Sequence, residues 1–174
     1  MRRSILAVVW LSLILFPTPP LLAGPLPGHH WQVLTVVYPP GQTVFVNLGG
    51  AEKTLTAKGI CRVKYRKEAA LLDIEIKNLP SAVESGWTGR QYVLWAVDRE
   101  MRTLNMGLVP SRGKDAKWSV QVPFRIFGLL VTAETNPTAT IPSAAVAMES
   151  LLPTDPGLVL PVYKIDIALA PPPG

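Results

Sequence analysis

An all-β fold, an immunoglobulin-like or Greek-key β-sandwich, is what this chain predicts, and three observations predict it. Residues 92–97 (Tyr-Val-Leu-Trp-Ala-Val) have no polar position, and residues 127–133 (Phe-Gly-Leu-Leu-Val-Thr-Ala) have one. A strand without a polar face has to be covered on both sides, and the aromatic and β-branched content favours strand over helix. Residues 61–66 and 72–77 instead alternate apolar with charged, the period-two pattern of a strand with one face in water. Finally, 18 Pro and 13 Gly are scattered between the apolar runs, as turns between short strands require. Outside the N-terminal run, no stretch of the chain has a convincing helical period.

The N-terminus reads as a preceding signal peptide, residues 1–23. Met1-Arg2-Arg3 is basic, residues 5–16 are apolar except for Ser12, and Pro17-Thr18-Pro19-Pro20 ends the run. The run is shorter than the ~20 residues that span a bilayer, and its three-part pattern is that of a secretory leader. Cleavage is expected after Ala23, and membrane contact only through this segment if it is retained. No Cys follows Ala23 or Gly24, which excludes the lipoprotein route. Losing Arg2 and Arg3 with the leader lowers the net charge from +5 to +3, a mild surplus that points to no particular partner. The expected destination is periplasmic or extracellular. The one cysteine, Cys61, precludes an internal disulfide and reads as a small core residue.

In order, residues 24–30 form a flexible Pro/Gly lead-in, residues 31–170 the sandwich domain, and residues 171–174 a disordered tail. The first strand is 31–38, stopped by Pro39-Pro40-Gly41. Residues 43–48 follow, with Val44, Val46 and Leu48 opposing Phe45 and Asn47. Gly49-Gly50 turns the chain into a short edge-like strand at 53–57. The hairpin 61–66 and 72–77, with a loop at 67–70, sets a basic outer row (Arg62, Lys64, Arg66) beside an acidic one (Asp73, Glu75). Cross-strand pairs of this kind contribute roughly 0.2–1 kcal/mol each. Such pairing competes with a second reading of the basic row as an anion-binding stripe. A nucleic-acid partner is not expected, because its surface would interleave aromatics with unpaired cations. Residues 81–89 form a loop carrying Trp87. The central strand is 91–98. Residues 102–109 follow, with Gly107 as a bulge, then 117–122 with Trp118, Val120 and Val122 inward. Residues 127–133 are the expected core partner of 92–97. A Thr/Pro loop covers 134–142, a weak strand 144–148, and a last strand 158–168 is interrupted by Pro161.

Reactive chemistry is hard to find. His29 and His30 are adjacent on an extended segment and point opposite ways, so no metal ligation is expected. No Gly-x-Ser-x-Gly, triad spacing or phosphate loop occurs. Asp98, Glu100 and Glu134 at strand ends are the one carboxylate set worth testing, although charges routinely end strands. No catalytic, cofactor or metal residue is expected. Trp95 reads as core and Glu134 as a strand-end hydrogen-bond acceptor. Trp31 and Trp87 read as partly exposed, covering a sandwich end or stacking on a ligand. The expected interaction surface is Trp87, Arg62, Lys64, Arg66 and Glu134.

One set of residues also carries a resemblance. Gln91-Tyr92-Val93-Leu94-Trp95-Ala96-Val97-Asp98 is followed by Leu104-Asn105-Met106-Gly107-Leu108, then Trp118-Ser119-Val120, then Phe127 to Glu134 and Pro142-Ser143. Over roughly 55–150 the chain resembles the C-terminal, extracytoplasmic domain of anti-sigma-K factors and related bacterial envelope proteins. The resemblance implies a β-sandwich outside the cytoplasmic membrane and brings no catalytic residues. Only residues 1–4 precede the apolar run, so the family's sigma-binding module is not expected. The expected function is an exported, non-enzymatic domain for protein interaction or envelope sensing, with an envelope or membrane protein as partner. The alternative is a carbohydrate- or peptidoglycan-binding module that uses Trp87 and loop acids.

Overall fold

The computed structural model describes residues 28–153 and 157–171. The expected signal peptide, residues 24–27 of the lead-in and residues 172–174 of the tail lie outside the described residues. The strands are β1 (His29–Val37), β2 (Thr43–Gly50), β3 (Lys58–Arg66), β4 (Ala69–Lys77), β5 (Gln91–Asp98), β6 (Thr103–Leu108), β7 (Ala116–Val122), β8 (Ile126–Glu134), β9 (Val146–Ser150) and β10 (Val162–Leu169). All pair antiparallel. In space the order is β6-β5-β8-β9-β2-β3-β4-β7, and this sheet curls until it is nearly closed into a barrel, with β6 and β7 as its two unjoined edges. The all-β expectation holds.

Period two fills the barrel. Val44, Val46 and Leu48 of β2, Val63 of β3, and Leu72, Ile74 and Ile76 of β4 point inward and are buried, so each alternating strand contributes its apolar row. Cys61 is in the same row, and burial pushes its thiol well above the ordinary range. That is a core residue, as expected.

The strand 92–97 behaves differently, as its composition requires. Tyr92, Leu94 and Ala96 face the barrel interior. Val93, Trp95 and Val97 face outward into a second apolar cluster with Val33, Leu130, Ile167 and Leu169. The cover is the β1–β10 ribbon, registered from His29↔Leu169 to Val36↔Val162. β1 leaves this layer by joining β8 at Val36↔Phe127, and it crosses β8 above Gly128. A Cβ on Gly128 would lie 2.2 Å from the Leu34 backbone oxygen, so only glycine lets the two backbones cross there. β8 is in register with β5 along its length, the pairing expected of the two apolar runs.

Three local outcomes qualify the sequence reading. The bulge at Gly107 is present: between Val93 and Trp95 the register slips by one residue of β6, and Gly107 sits at φ +93°. Residues 53–57 are not a strand. They form a turn around the 3₁₀ segment Glu52–Thr54, because the buried Thr54 hydroxyl donates to the Ala147 carbonyl and folds the chain back against Gly50. β1 starts at His29, so both histidines belong to the β1–β10 ladder opposite Leu169 and Ala168.

Candidate functional site

The two sides of the barrel are finished differently. β1 and β10 cover the outer face of β5 and β8, whereas the outer face of β2, β3, β4 and β7 has no second layer among the described residues. Register places its side chains in rows. Phe45, Arg62, Asp73 and Ser119 lie side by side, and so do Asn47, Ile60, Glu75 and Lys117.

The polar groups neutralise one another in part. Arg62 Nε donates to Asp73 Oδ2 at 3.0 Å and Ser119 Oγ donates to Asp73 Oδ1 at 2.6 Å. The Ser119 hydrogen bond first, and then Arg62, hold the Asp73 carboxyl below the usual carboxylate range. Glu75 lies between Lys77 at 3.2 Å and Lys117 at 3.4 Å, and its pKa is lowered by those hydrogen bonds. The matching of basic and acidic rows is nevertheless incomplete. A loop at 67–70 would have set Lys64 against Asp73 and Arg62 against Glu75. The turn is instead only Lys67-Glu68, which slips the acids along β3. Asp73 meets Arg62, Glu75 meets Ile60, Lys64 faces Leu71, and Arg66 faces Ala69. Lys58 stands opposite Lys77, a like-charge pair. Lys58, Lys64 and Arg66 make no ion pair among the described residues.

Among these charges stand three large apolar side chains, Phe45 (44% exposed), Ile60 (44%) and Leu71 (45%). None of the three belongs to the expected interaction surface. Each sits on the polar side of an alternating strand, and that is the signal that could have found them. The free edges of the sheet are less inviting. β7 carries Lys117. β6 is bulged, and Asn105 Nδ2 ties it to the Pro137 and Ala139 carbonyls. Charges, bulges and covering loops all discourage strand addition.

The remaining expected residues fall elsewhere. Trp87, expected to be partly exposed, is buried at 9%. Its backbone N–H donates to the Ala82 carbonyl at 2.7 Å, so the loop folds inward and sets the indole edge-on to Tyr92 at 6.2 Å, with Lys53 Nζ 5.3 Å above the ring. It closes one end of the core and offers no open face for stacking. Trp31 is half-buried, and its Nε1 donates to Glu149 Oε2 at 2.8 Å. The two tryptophans do border one hollow of about 350 Å³.

Glu134 is also buried, at 5%, and so is not part of a surface. It is the strand-end acceptor expected: its Oε1 takes the Thr132 hydroxyl and the Ser143 N–H. Trp95 Nε1 donates to the same Thr132 oxygen at 2.8 Å, which satisfies the one polar atom of that buried indole side chain. Asp98 and Glu134 do not converge. Asp98 pairs with Phe127 and Glu134 with Gln91, at opposite ends of the β5–β8 ladder. At about 3.3 Å per residue that is roughly 23 Å, against the ~9.5 Å limit for paired glycosidic carboxylates. Asp98 instead closes its own turn by accepting from Arg102 N at 2.8 Å and Arg102 Nε at 2.5 Å.

Among the described residues, no group of three or more His, Cys, Asp or Glu is placed to hold a metal ion. Comparison with protein-family models, curated proteins and solved structures finds no match to this chain. What fold and surface define is therefore a class: a nearly closed all-β barrel with one face covered by its own strands and the other uncovered among the described residues, where apolar, basic and acidic side chains mix.

Proposed function

We propose that this chain is an exported, non-enzymatic domain of the cell envelope that binds a protein partner across the outer face of β2, β3, β4 and β7. The observation that carries the reading is the exposure of Phe45, Ile60 and Leu71 on one sheet face that is uncovered among the described residues, where Phe45 and Ile60 line one hollow. Apolar side chains scattered singly need no explanation, but grouped ones mark interaction surfaces. The leader-like residues 1–23 and the resemblance to the extracytoplasmic domain of anti-sigma-K factors support the location. The carbohydrate-binding alternative requires an open indole face. The burial of Trp87 beneath Lys53 weighs against it.

The test is photocrosslinking in the producing cell, with a benzophenone amino acid replacing Phe45 or Leu71. Val83 and Met101, exposed apolar residues elsewhere on the molecule, are the controls. The same protein adduct from positions 45 and 71, and none from 83 or 101, is the expected result. No adduct from the face, or equal adducts from all positions, overturns the reading. The location is tested separately by the intact mass of chain recovered outside the cytoplasm, which is expected to begin at Gly24.

A further inference from the structure

We infer that the partner presents an extended acidic segment, one that seats an apolar side chain at one end of a trough across β3, β4 and β7 and carboxylates at the other. This rests on the proposed protein-binding face and names the chemistry it recognises. The trough is formed by adjoining hollows. One, of about 560 Å³, is walled by Phe45, Ile60, Arg62 and Trp118. The next, of about 540 Å³, is walled by Lys77, Pro110 and Arg112. They share Glu75 and Lys117, and a smaller hollow of about 260 Å³ joins Lys58 and Ile60 to Glu75 and Lys77. One end thus sets Phe45, Ile60 and Trp118 beside the Arg62–Asp73 pair, and the other sets Lys77, Lys117 and Arg112 against Glu75 and Asp115.

The charge balance gives the sign of the occupant. Asp73 is already engaged by Arg62 and Ser119, and Glu75 by Lys77 and Lys117. Lys58 faces Lys77 across the ladder; Lys77 is paired with Glu75, whereas Lys58 makes no ion pair among the described residues. Arg112 adds a further cation at that end and makes no ion pair among the described residues. From the Arg62 row to the Lys58 row is four residues of β3, about 13 Å at ~3.3 Å per residue. Allowing for the crossing to β7, at about 4.8 Å per strand, an extended segment of about five or six residues fills the trough. Asp73, Glu75 and Asp115 in the walls confine the anions to the neighbourhood of Lys58 and Arg112, so a strand with a phosphate at every step fits less well than a segment whose carboxylates lie at one end.

Fluorescence anisotropy with the full chain tests this. The probe is a labelled peptide Leu-Ser-Glu-Asp-Glu-Asp, and the controls are the same peptide with Lys at every acidic position and a single-stranded oligo-dT. The acidic peptide is expected to bind at least about tenfold more tightly than either control and to weaken as salt is raised. The double variant Lys58→Glu, Arg112→Glu is expected to lose about tenfold in affinity, and Phe45→Ser several-fold, with thermal midpoints unchanged because the side chains are exposed and make no ion pair among the described residues. Absence of acidic-peptide binding, indifference to the double variant, or oligo-dT binding of equal strength overturns the inference. Crosslinks from positions 45 and 71 without peptide binding overturn the trough alone and leave the broader reading standing. Loss of both overturns both.

Discussion

On β5 the outward residues Val93, Trp95 and Val97 are sealed under β1 and β10, whereas on β3 the outward residues Lys58, Ile60 and Arg62 meet water. Both strands line the same barrel. They differ in whether the chain supplies its own cover, and composition follows: β5 is apolar on both faces, while β3 reserves one face for charge. The difference teaches how to read exceptions. An apolar residue on the outer face of β5 is explained by Ile167 and Leu169 above it. Phe45, Ile60 and Leu71 on the other side have no such explanation within the described residues, and this asymmetry singles out one face as the candidate interface.

The comparison is broken most readily by mutation. Trp95→Ala empties the centre of the covered side and should cost about 4 kcal/mol, read as a lower urea midpoint. Gly128→Val forces a branched side chain against the Leu34 carbonyl and should cost about 3 kcal/mol by the same measurement. Serine at Phe45, Ile60 or Leu71 should move stability by no more than about 0.5 kcal/mol each, although each is a large apolar residue. A loss at these positions comparable to that of Trp95→Ala would show that the bare face is structural and not a docking surface.

The smallest effect is electrostatic. The Asp73 pKa, followed by carboxyl NMR, should lie below the ~3.9 of a free Asp. It should rise toward that value in Ser119→Ala and in Arg62→Ala, because the hydroxyl's hydrogen bond and the guanidinium's hydrogen bond and charge all lower it. A depressed folded-state pKa means the folded chain binds fewer protons than the unfolded chain in that window. The contribution to stability is therefore fully present above the unfolded pKa and disappears as pH falls through the folded one.

Most of the covered side was legible in the sequence. Residues 92–97 and 127–133 offer no polar face, so burial on both sides and mutual pairing follow from composition. The bulge at Gly107 was legible for a similar reason, since glycine inside a strand marks a backbone that departs from the ladder. The bare side was legible as alternation but not in register. The β3–β4 turn depends on Lys67 adopting φ +54°, a left-handed conformation that a lysine does not advertise. With the turn two residues shorter than expected, the acids met different partners and cations were left over. Residues 53–57 and Trp87 were misplaced because distant atoms decide them: the Ala147 carbonyl for Thr54, and Tyr92 with Lys53 for Trp87. Lone apolar residues on a charged face look like noise until neighbouring strands place them on one uncovered face, as with Phe45 and Ile60 around one hollow.

The ladder that ties His29 to Leu169 joins the earliest described strand to the latest. As the polypeptide emerges from the ribosome, β1 has neither of its neighbours, since β8 and β10 are both still to come. Val33 and Trp31 must therefore wait, solvated and unpartnered, while more than a hundred residues are synthesised. Until then the hydrophobic flank of β5 and β8 has no lid, and the nascent chain is at its most adhesive just before its final strand arrives.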